Sequence, residues 1–206
     1  MSKPFGTMPA RFDPDFTPST KVALVLPGAG YSPAHPLLEF GRQSLLQHGW
    51  TVQQVWWDQP SNERSDSETA AWVCDQARAA IDHEVAADRL LLLAKSLGTL
   101  ASPVAAEHRL DAIWMTPLFQ HPRSIEAIER NAGNGARQLL VGGGADPSWN
   151  ADRAGELGCE VLDLPEVSHF AHVPGDVIRT VEVHLQITHA VEAFLTRLEE
   201  GQAATR

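Results

Sequence analysis

The sequence predicts an α/β fold with a doubly wound, mostly parallel sheet of about six strands and helices on both faces. Short apolar runs recur along the chain and alternate with segments whose apolar residues have helical spacing. Strands that are apolar on both faces must be covered on both faces, as in parallel sheets. The alternation of strand and helix indicates right-handed crossovers between neighbouring strands. A chain of 206 residues is long enough to bury a full core.

Each predicted strand corresponds to one short apolar run. The first is VALVL, which starts at Val22, and the others lie at 51–57, 90–94, 112–115, 138–142 and 160–164. The predicted helices lie between them at 36–48, 67–87, 97–108, 122–132 and 148–157. We expect a capping pattern at Ser67 to open the second helix.

The last element allows two interpretations. Residues 180–187 alternate apolar and polar side chains, as a strand does. Val177, Val181 and Leu185, followed by apolar residues over 187–198, also fit one helical stripe. About twenty residues without a turn signal is too long for a strand, so the length favours a helix.

The N-terminal segment differs from the rest of the chain. Residues 1–20 contain four prolines and no sustained periodicity, so we expect an extended or partly disordered arm. Residues 21–206 show one composition throughout and no internal repeat, which predicts a single domain. The first residues lack the apolar stretch of a signal peptide, and no apolar run reaches membrane-spanning length. We therefore expect a cytoplasmic protein that does not bind a membrane.

Charge and cysteine content exclude several classes of partner. The net charge is −10, and no segment concentrates Lys and Arg, so we expect no nucleic-acid partner. Cys74 and Cys159 have no metal-ligand spacing and are expected to be reduced thiols. No histidine pair has the spacing of a helical zinc site, so we expect no metal. The sequence does not indicate an oligomeric state.

The sharpest chemical signal follows the predicted strand at 90–94. The sequence AKSLG places Ser96 between an apolar strand and a helix of small residues. A serine raised on a tight turn needs small neighbours two positions before and after it, and Ala94 and Gly98 provide them. The alternative interpretation is a serine that caps the helix after a core strand.

This segment resembles the nucleophile elbow of the α/β-hydrolase family, usually Gly-x-Ser-x-Gly, with alanine in place of the first glycine. The resemblance extends from about Val22 to Leu198 and implies the chain order nucleophile, acid, histidine. It implies Ser96 as the nucleophile, Asp146 as the acid and His169 as the base. Among relatives, the chain looks more like small dienelactone-hydrolase-type proteins than lipases, although those often have cysteine at the elbow.

The acid and the base each have an alternative. Asp146 stands before a proline, and an Asp-Pro pair also begins turns and helices. The family's other acid position holds Thr116 and no carboxylate, which favours Asp146. His169 matches the family by its distance from the stretch Val-Pro-Gly-Asp at 173–176, and His172 is the rival.

The loop PGAGY at 27–31, called here the oxyanion loop, resembles the family's loop of that function. Glycines there let backbone N–H groups turn toward a substrate, and the resemblance implies oxyanion donors at the amides of Ala29 and Leu97. The loop lacks the third glycine or the lysine of a dinucleotide or phosphate site. Candidate substrate-binding residues on the predicted site loops are Gly28, Tyr31, Trp57, Phe119, Trp149 and Phe170.

The resemblance implies a serine hydrolase that cleaves a carboxylic ester or thioester bond of a small substrate through an acyl-enzyme, without a cofactor. Only about 20 residues separate the strand at 112–115 from the next one, which leaves no room for a large helical cap. We therefore expect a relatively open pocket. The alternative is a non-catalytic ligand-binding or interaction protein with the same fold.

Overall fold

A seven-stranded sheet organises the computed structural model, which describes residues 7–9, 20–57, 65–84 and 87–203. Its strands are β1 Thr7–Pro9, β2 Lys21–Leu26, β3 Thr51–Val55, β4 Arg89–Lys95, β5 Asp111–Met115, β6 Gln138–Gly142 and β7 Glu160–Asp163. Their order is β1-β3-β2-β4-β5-β6-β7, and β2 to β7 are parallel. The predicted doubly wound, mostly parallel sheet is therefore confirmed, with one antiparallel strand added at its edge.

The added strand, β1, belongs to the predicted N-terminal arm. It pairs with β3 so that Thr7 lies opposite Val55 and Pro9 lies opposite Gln53. Proline has no N–H to donate, and an edge strand tolerates it. Three residues are too few to show a periodic pattern, so the sequence predicts only an extended arm here. The other arm residues, 1–6 and 10–19, lie outside the described part of the chain.

Helices cover both faces of the sheet. They are α1 Pro36–Gln47, α2 Asp66–His83, α3 Ser102–His108, α4 Pro122–Gly133, α5 Ala151–Glu156 and α6 Val177–Ala203, and a 3₁₀ helix, Ser96–Ala101, joins β4 to α3. Alternate residues of β2 enter two cores. Ala23 and Val25 belong to the core under α1 and α6, whereas Leu24 and Leu26 belong to the core under α2, α3 and α4. The inner strands are continuous apolar runs because both of their faces are buried.

The start of α2 differs from the prediction. The helix begins at Asp66, and its N-cap is Ser65 rather than Ser67. The Ser65 hydroxyl accepts a hydrogen bond from the Glu68 N–H at 3.3 Å, and the Ser65 N–H donates to the Glu68 carboxylate at 2.8 Å. This capping box requires Glu or Gln three residues after the cap, and only Ser65 satisfies that spacing, because Ala70 follows Ser67 at that distance.

The prediction of a helix for the last element is confirmed by α6, but the predicted stripe is not continuous. Val177, Val181 and Leu185 are 73%, 63% and 57% exposed, whereas Ile187 and Val191 are buried. Leu185 and Ile187 differ by two residues, which is about 200° around a helix of 3.6 residues per turn. These two side chains therefore point in nearly opposite directions and cannot share one stripe, and of the two only Ile187 meets the core. No described helix, α6 included, is long and apolar enough to cross a membrane.

Both cysteines are free thiols. Cys74 donates a hydrogen bond to the Leu100 carbonyl at 3.3 Å, and burial raises its pKa to about 11. Burial likewise raises the pKa of Cys159 to about 12. Neither thiol is activated as a nucleophile. Within the described residues, no three His, Cys, Asp or Glu side chains come together as metal ligands would.

Candidate active site

Ser96 directly follows β4, the central strand, and is the first residue of the 3₁₀ helix. Its φ of 49° is in the left-handed region, which is rare for a residue with a side chain and indicates a strained turn. Gly98 is required because a Cβ there would clash with the backbone oxygen of Leu26. Ala94 is fully buried in the core under α2, where its methyl group is accommodated. The local sequence therefore builds the sharp turn that raises Ser96 above the sheet.

Three side chains that are distant in sequence meet at the carboxyl ends of the strands. His169 Nε2 lies 2.7 Å from Ser96 Oγ, and His169 Nδ1 lies 2.7 Å from Asp146 Oδ2. Asp146 follows β6, and its other oxygen accepts a hydrogen bond from the Ser148 N–H at 2.8 Å. His169 lies on the segment between β7 and α6, residues 164–176, called here the histidine loop.

Asp146 is a carboxylate in spite of its burial. Burial raises its pKa, but hydrogen bonds from His169 and Ser148, together with the charges of His169 and Lys95, bring the pKa below its ordinary value. A carboxylate beside Nδ1 favours the tautomer with hydrogen on that nitrogen. Nε2 of His169 is then free to accept a proton from the Ser96 hydroxyl.

The structure brings His169, and not His172, to Ser96 and Asp146. The His172 ring lies instead near Phe170 and His184, with ring centroids 6.3 and 6.5 Å away. Ala171, which precedes His172, has a left-handed backbone with φ of 59°. This turn separates the two histidines and directs them to different neighbours.

The oxyanion loop lies against the nucleophile. The Tyr31 N–H donates to the Gly28 carbonyl at 3.4 Å, which closes a tight turn with Ala29 at its exposed tip. A Cβ on Gly28 would lie only 3.3 Å from the Cβ of Ser96, so glycine allows this close approach. Leu97 directly follows Ser96 at the start of the 3₁₀ helix. Gly28, the residue before the predicted donor Ala29, therefore lies against Ser96, and the other predicted donor, Leu97, follows Ser96 in the chain.

A cleft of about 190 Å³ opens beside the oxyanion loop. Gly28, Tyr31 and Trp57, among the predicted substrate-binding residues, line it together with His35 and Trp56. Sequence reasoning does not identify His35 or Trp56, because a lone histidine and a tryptophan after a strand carry no distinctive pattern. Among the described residues the lining combines aromatic side chains with glycines, prolines and a serine and holds no carboxylate or lysine, so the cleft suits an uncharged group.

The other predicted substrate-binding residues lie elsewhere. Phe170 is half exposed, and its ring centroid is 6.0 Å from that of His169. Phe119 and Trp149 pack edge to face at 5.2 Å and join the core on the α2, α3 and α4 side. The Trp149 indole also covers Gly142 and donates a hydrogen bond from Nε1 to a carboxylate at 2.8 Å. Phe170 therefore stands beside the histidine, whereas Phe119 and Trp149 do not line the cleft.

Sequence reasoning also misses Lys95, the residue before Ser96. Its side chain is fully buried, and its Nζ donates a hydrogen bond to the His169 carbonyl oxygen at 3.2 Å. Burial lowers the pKa of Lys95 to about 8, although the Asp146 carboxylate acts in the opposite direction. A buried lysine therefore contacts the backbone of His169, next to the three hydrogen-bonded side chains.

Comparison with known proteins yields structural neighbours only. No family model matches the sequence, and a search of curated proteins finds no match. A serine hydrolase without a lid from Xanthomonas campestris is 16% identical, with a TM-score of 0.64 over 90% of this chain and 85% of that one. A serine hydrolase homologue from Coxiella burnetii is 13% identical, with a TM-score of 0.65 over 86% and 88%. Est1E from Butyrivibrio proteoclasticus is 11% identical, with a TM-score of 0.69 over 89% and 90%.

At these identities the likeness establishes the fold. The strand order and the crossover helices match the predicted resemblance, and the connection from β5 to β6 forms α4 alone as its helix. The expectation that no large cap is inserted there is therefore confirmed. This chain has the α/β-hydrolase fold in a small form without a large cap.

Proposed function

We propose that this protein is a serine hydrolase that cleaves a carboxylic ester or thioester bond of a small substrate through an acyl-enzyme. The observation that carries the proposal is the position of the His169 imidazole, 2.7 Å from both Ser96 Oγ and Asp146 Oδ2. A base that contacts a nucleophile and is oriented by a third group activates a serine hydroxyl. The likeness to serine hydrolase and esterase structures supports the same conclusion.

Acylation begins when Ser96 Oγ attacks the substrate carbonyl carbon and His169 Nε2 takes the hydroxyl proton. Asp146 accepts the Nδ1 hydrogen bond and stabilises the imidazolium that forms. The backbone amides of Ala29 and Leu97 donate hydrogen bonds to the oxyanion. When the intermediate collapses, the alcohol or thiol takes the proton from Nε2 and leaves, and the acyl group remains on Ser96.

Deacylation repeats these proton transfers with water. His169 Nε2 removes a proton from a water molecule as its oxygen attacks the acyl carbon. The second intermediate collapses when Ser96 Oγ recovers its proton from Nε2, and the carboxylic acid leaves. These steps use side chains, backbone amides and water, so the proposal requires no cofactor.

The cleft beside the oxyanion loop supports a small substrate. Its volume of about 190 Å³ is close to that of an engineered cavity of about 150 Å³ that binds one benzene molecule. A short acyl chain or a single ring fills such a space. Ferulic acid, which has one ring, is bound to Est1E in one similar structure. Short-chain and aryl esters are therefore the substrates to test first.

We also propose the domain organisation, the class of partner and the location that the sequence predicts. Residues 21–206 act as one domain, preceded by the arm at 1–20. A small molecule is the partner, and the net charge of −10 disfavours a nucleic acid. We propose a cytoplasmic location for this activity.

The test is a screen of p-nitrophenyl esters and acyl thioesters of increasing chain length, with wild type, Ser96→Ala and Ser67→Ala. Ser67 is an exposed serine of α2 and serves as the matched control. We expect Ser96→Ala to lose about 10⁴ to 10⁶ of the turnover. Ser67→Ala should keep the wild-type rate. A Ser96→Ala variant that retains more than about a tenth of that rate would contradict the proposal. A folded wild type without turnover on any member would favour the non-catalytic alternative.

A further inference from the structure

We propose that Lys95 is a positioning residue whose buried ammonium holds the histidine loop and the oxyanion loop against the nucleophile elbow. This inference rests on the proposed function, because it concerns the geometry of the same site. Lys95 is not a reacting group. Its side chain is 0% exposed, and it is not among the residues that line the cleft.

The contacts of Lys95 join three loops through one charged group. Its Nζ donates to the backbone oxygen of His169 at 3.2 Å, in the histidine loop. The same Nζ lies 4.6 Å from the ring centroid of Tyr31, in the oxyanion loop, and 5.4 Å from that of Phe170. Lys95 itself is bonded to Ser96. The ammonium is therefore shared by the loops that carry the nucleophile, the base and the predicted oxyanion donor.

These contacts replace the ion pair that a buried lysine usually needs. Among the described residues, no carboxylate lies within 4 Å of Lys95 Nζ, although the charge of Asp146 acts on it from farther away. A buried ammonium without a paired anion is unfavourable, and two aromatic faces and one carbonyl oxygen compensate for it in part. A methionine would fill the same space without a charge. The position of this charge is therefore explained better by the loops it joins than by the stability of the fold.

The hydrogen bond to the His169 carbonyl acts on the residue that carries the base. The imidazole must keep two contacts of 2.7 Å at once, and the loop around it contains a strained residue, Ala171, with φ of 59°. A displacement of about 1 Å in such a site reduces the rate by about 10²-fold. Loss of the Lys95 contact would allow the histidine loop to relax and carry the ring away from Ser96.

Lys21 provides a matched control at the other end of the sheet. Its Nζ donates to the His48 carbonyl oxygen at 2.9 Å and lies 5.4 Å from the Trp50 ring centroid. It therefore shares these two kinds of contact with Lys95, although it is partly exposed and also pairs with Glu199, and it stands at the start of β2, far along the strands from Ser96. Lys21→Met should reproduce any general effect of removing such a lysine without touching the candidate site.

The experiment compares wild type, Lys95→Met, Lys95→Gln and Lys21→Met. We measure kcat and KM for the best ester, the rate of fluorophosphonate labelling at Ser96, and the melting temperature. We expect Lys95→Met to lower kcat and the labelling rate about 10- to 100-fold, with KM little changed and no loss of folding. Lys21→Met should keep the wild-type kcat. Lys95→Gln retains a hydrogen-bond donor and should be affected less than Lys95→Met.

A pH profile adds a signature that loss of packing does not produce. The titratable groups that face Lys95 Nζ are Tyr31 in the oxyanion loop, Asp146 after β6 and His169 in the histidine loop. As pH rises through about 8, the ammonium loses its charge and the wild-type kcat should fall. This alkaline decrease should be absent in both Lys95 variants.

Wild-type kcat and labelling in folded Lys95→Met would overturn the proposal. It would also be overturned if Lys95→Met failed to fold while Lys95→Gln folded and kept both the full rate and the alkaline decrease. The low-field proton resonance of His169 Nδ1–H gives a readout that does not need turnover. If the wild type neither turns over an ester nor reacts with the probe, the proposed function fails. An unchanged resonance in Lys95→Met would then overturn the positioning role, and a shifted or lost resonance would support it.

Discussion

The two ends of the parallel strands β2 to β7 are built in different ways. The carboxyl edge is the side of the sheet where these strands end, and the amino edge is the side where they begin. At the carboxyl edge, Ser96, Thr116 and Ala171 have left-handed backbone although each carries a side chain, and Lys95 and Asp146 are buried charged groups. The amino edge carries ion pairs whose members are partly exposed to solvent: Lys21 with Glu199, and Arg89 with Asp111. Among the described residues on that side, one residue with a side chain has left-handed backbone, Arg109, which caps the C-terminus of α3, where this conformation is common.

Strained residues and unpaired buried charges reduce stability, by about 1–3 kcal/mol for each strained residue. They persist where the surrounding contacts hold them, and here they are concentrated around Ser96. We therefore expect the carboxyl edge to determine reactivity and the amino edge to contribute to stability. Substitutions at the two edges should therefore have opposite profiles, with activity lost at one and folding free energy lost at the other.

The largest effect should come from the acid at the carboxyl edge. Asp146→Asn keeps the size of the side chain but removes the carboxylate that orients His169 and stabilises its imidazolium, so kcat/KM should fall about 10⁴-fold. The melting temperature should change little. His172→Ala, which alters the nearby histidine without touching the three bonded side chains, is the control and should keep most of the activity. Full activity in Asp146→Asn would contradict the assignment of the acid.

A smaller effect of the opposite kind is expected at the amino edge. Arg89 donates to Asp111 Oδ2 at 2.7 Å, and the Arg137 N–H donates to Asp111 Oδ1 at 2.9 Å. Asp111→Asn leaves the Arg89 guanidinium without its anionic partner, so the free energy of unfolding should fall by about 1–3 kcal/mol. Urea denaturation measures this loss, and kcat/KM at a temperature where the variant is folded should be unchanged. If Asp111→Asn lost turnover and kept its stability, the expectation that the amino edge contributes to stability and not to reactivity would be contradicted.

An effect of similar size concerns stability against pH. Burial lowers the pKa of Lys95 from 10.5 to about 8, so the folded protein releases this proton before the unfolded chain does. Between these values the unfolded state binds more protons, and the contribution of Lys95 to stability rises with pH by up to about 1.4 kcal/mol per unit. Wild type should therefore gain stability relative to Lys95→Met as pH rises from about 8 to about 10. A difference that does not vary with pH would show that the ammonium is not buried.

The inner strands could be predicted because their burial is visible in the sequence. In β4 and β5, successive side chains enter two cores, so both strands are continuous apolar runs. The exposed apolar face of α6 could not be predicted in the same way. Val177, Val181 and Leu185 are spaced like a buried stripe, and only the fold shows that they stand in solvent while Ile187 and Val191 of the same helix are buried.

The candidate site was predictable where the resemblance to the α/β-hydrolase family supplies a residue type in a fixed chain order. Ser96, Asp146 and His169 follow from that order, and their catalytic roles stay predictions. Lys95 could not be identified, because its contacts with Tyr31 and His169 exist only after distant loops meet. A lysine at the end of an apolar strand suggests a strand that reaches the surface, since unpaired lysine is almost never fully buried.

The most direct measurement is mass spectrometry of the protein after reaction with a fluorophosphonate probe. The account predicts one adduct, on the peptide that contains Ser96, in folded wild type and in Ser67→Ala. Heat-denatured protein and His169→Ala should show no adduct, because the hydroxyl then lacks the base that activates it. An adduct on another residue, or none on folded wild type, would contradict the claim that the His169 imidazole makes Ser96 a nucleophile.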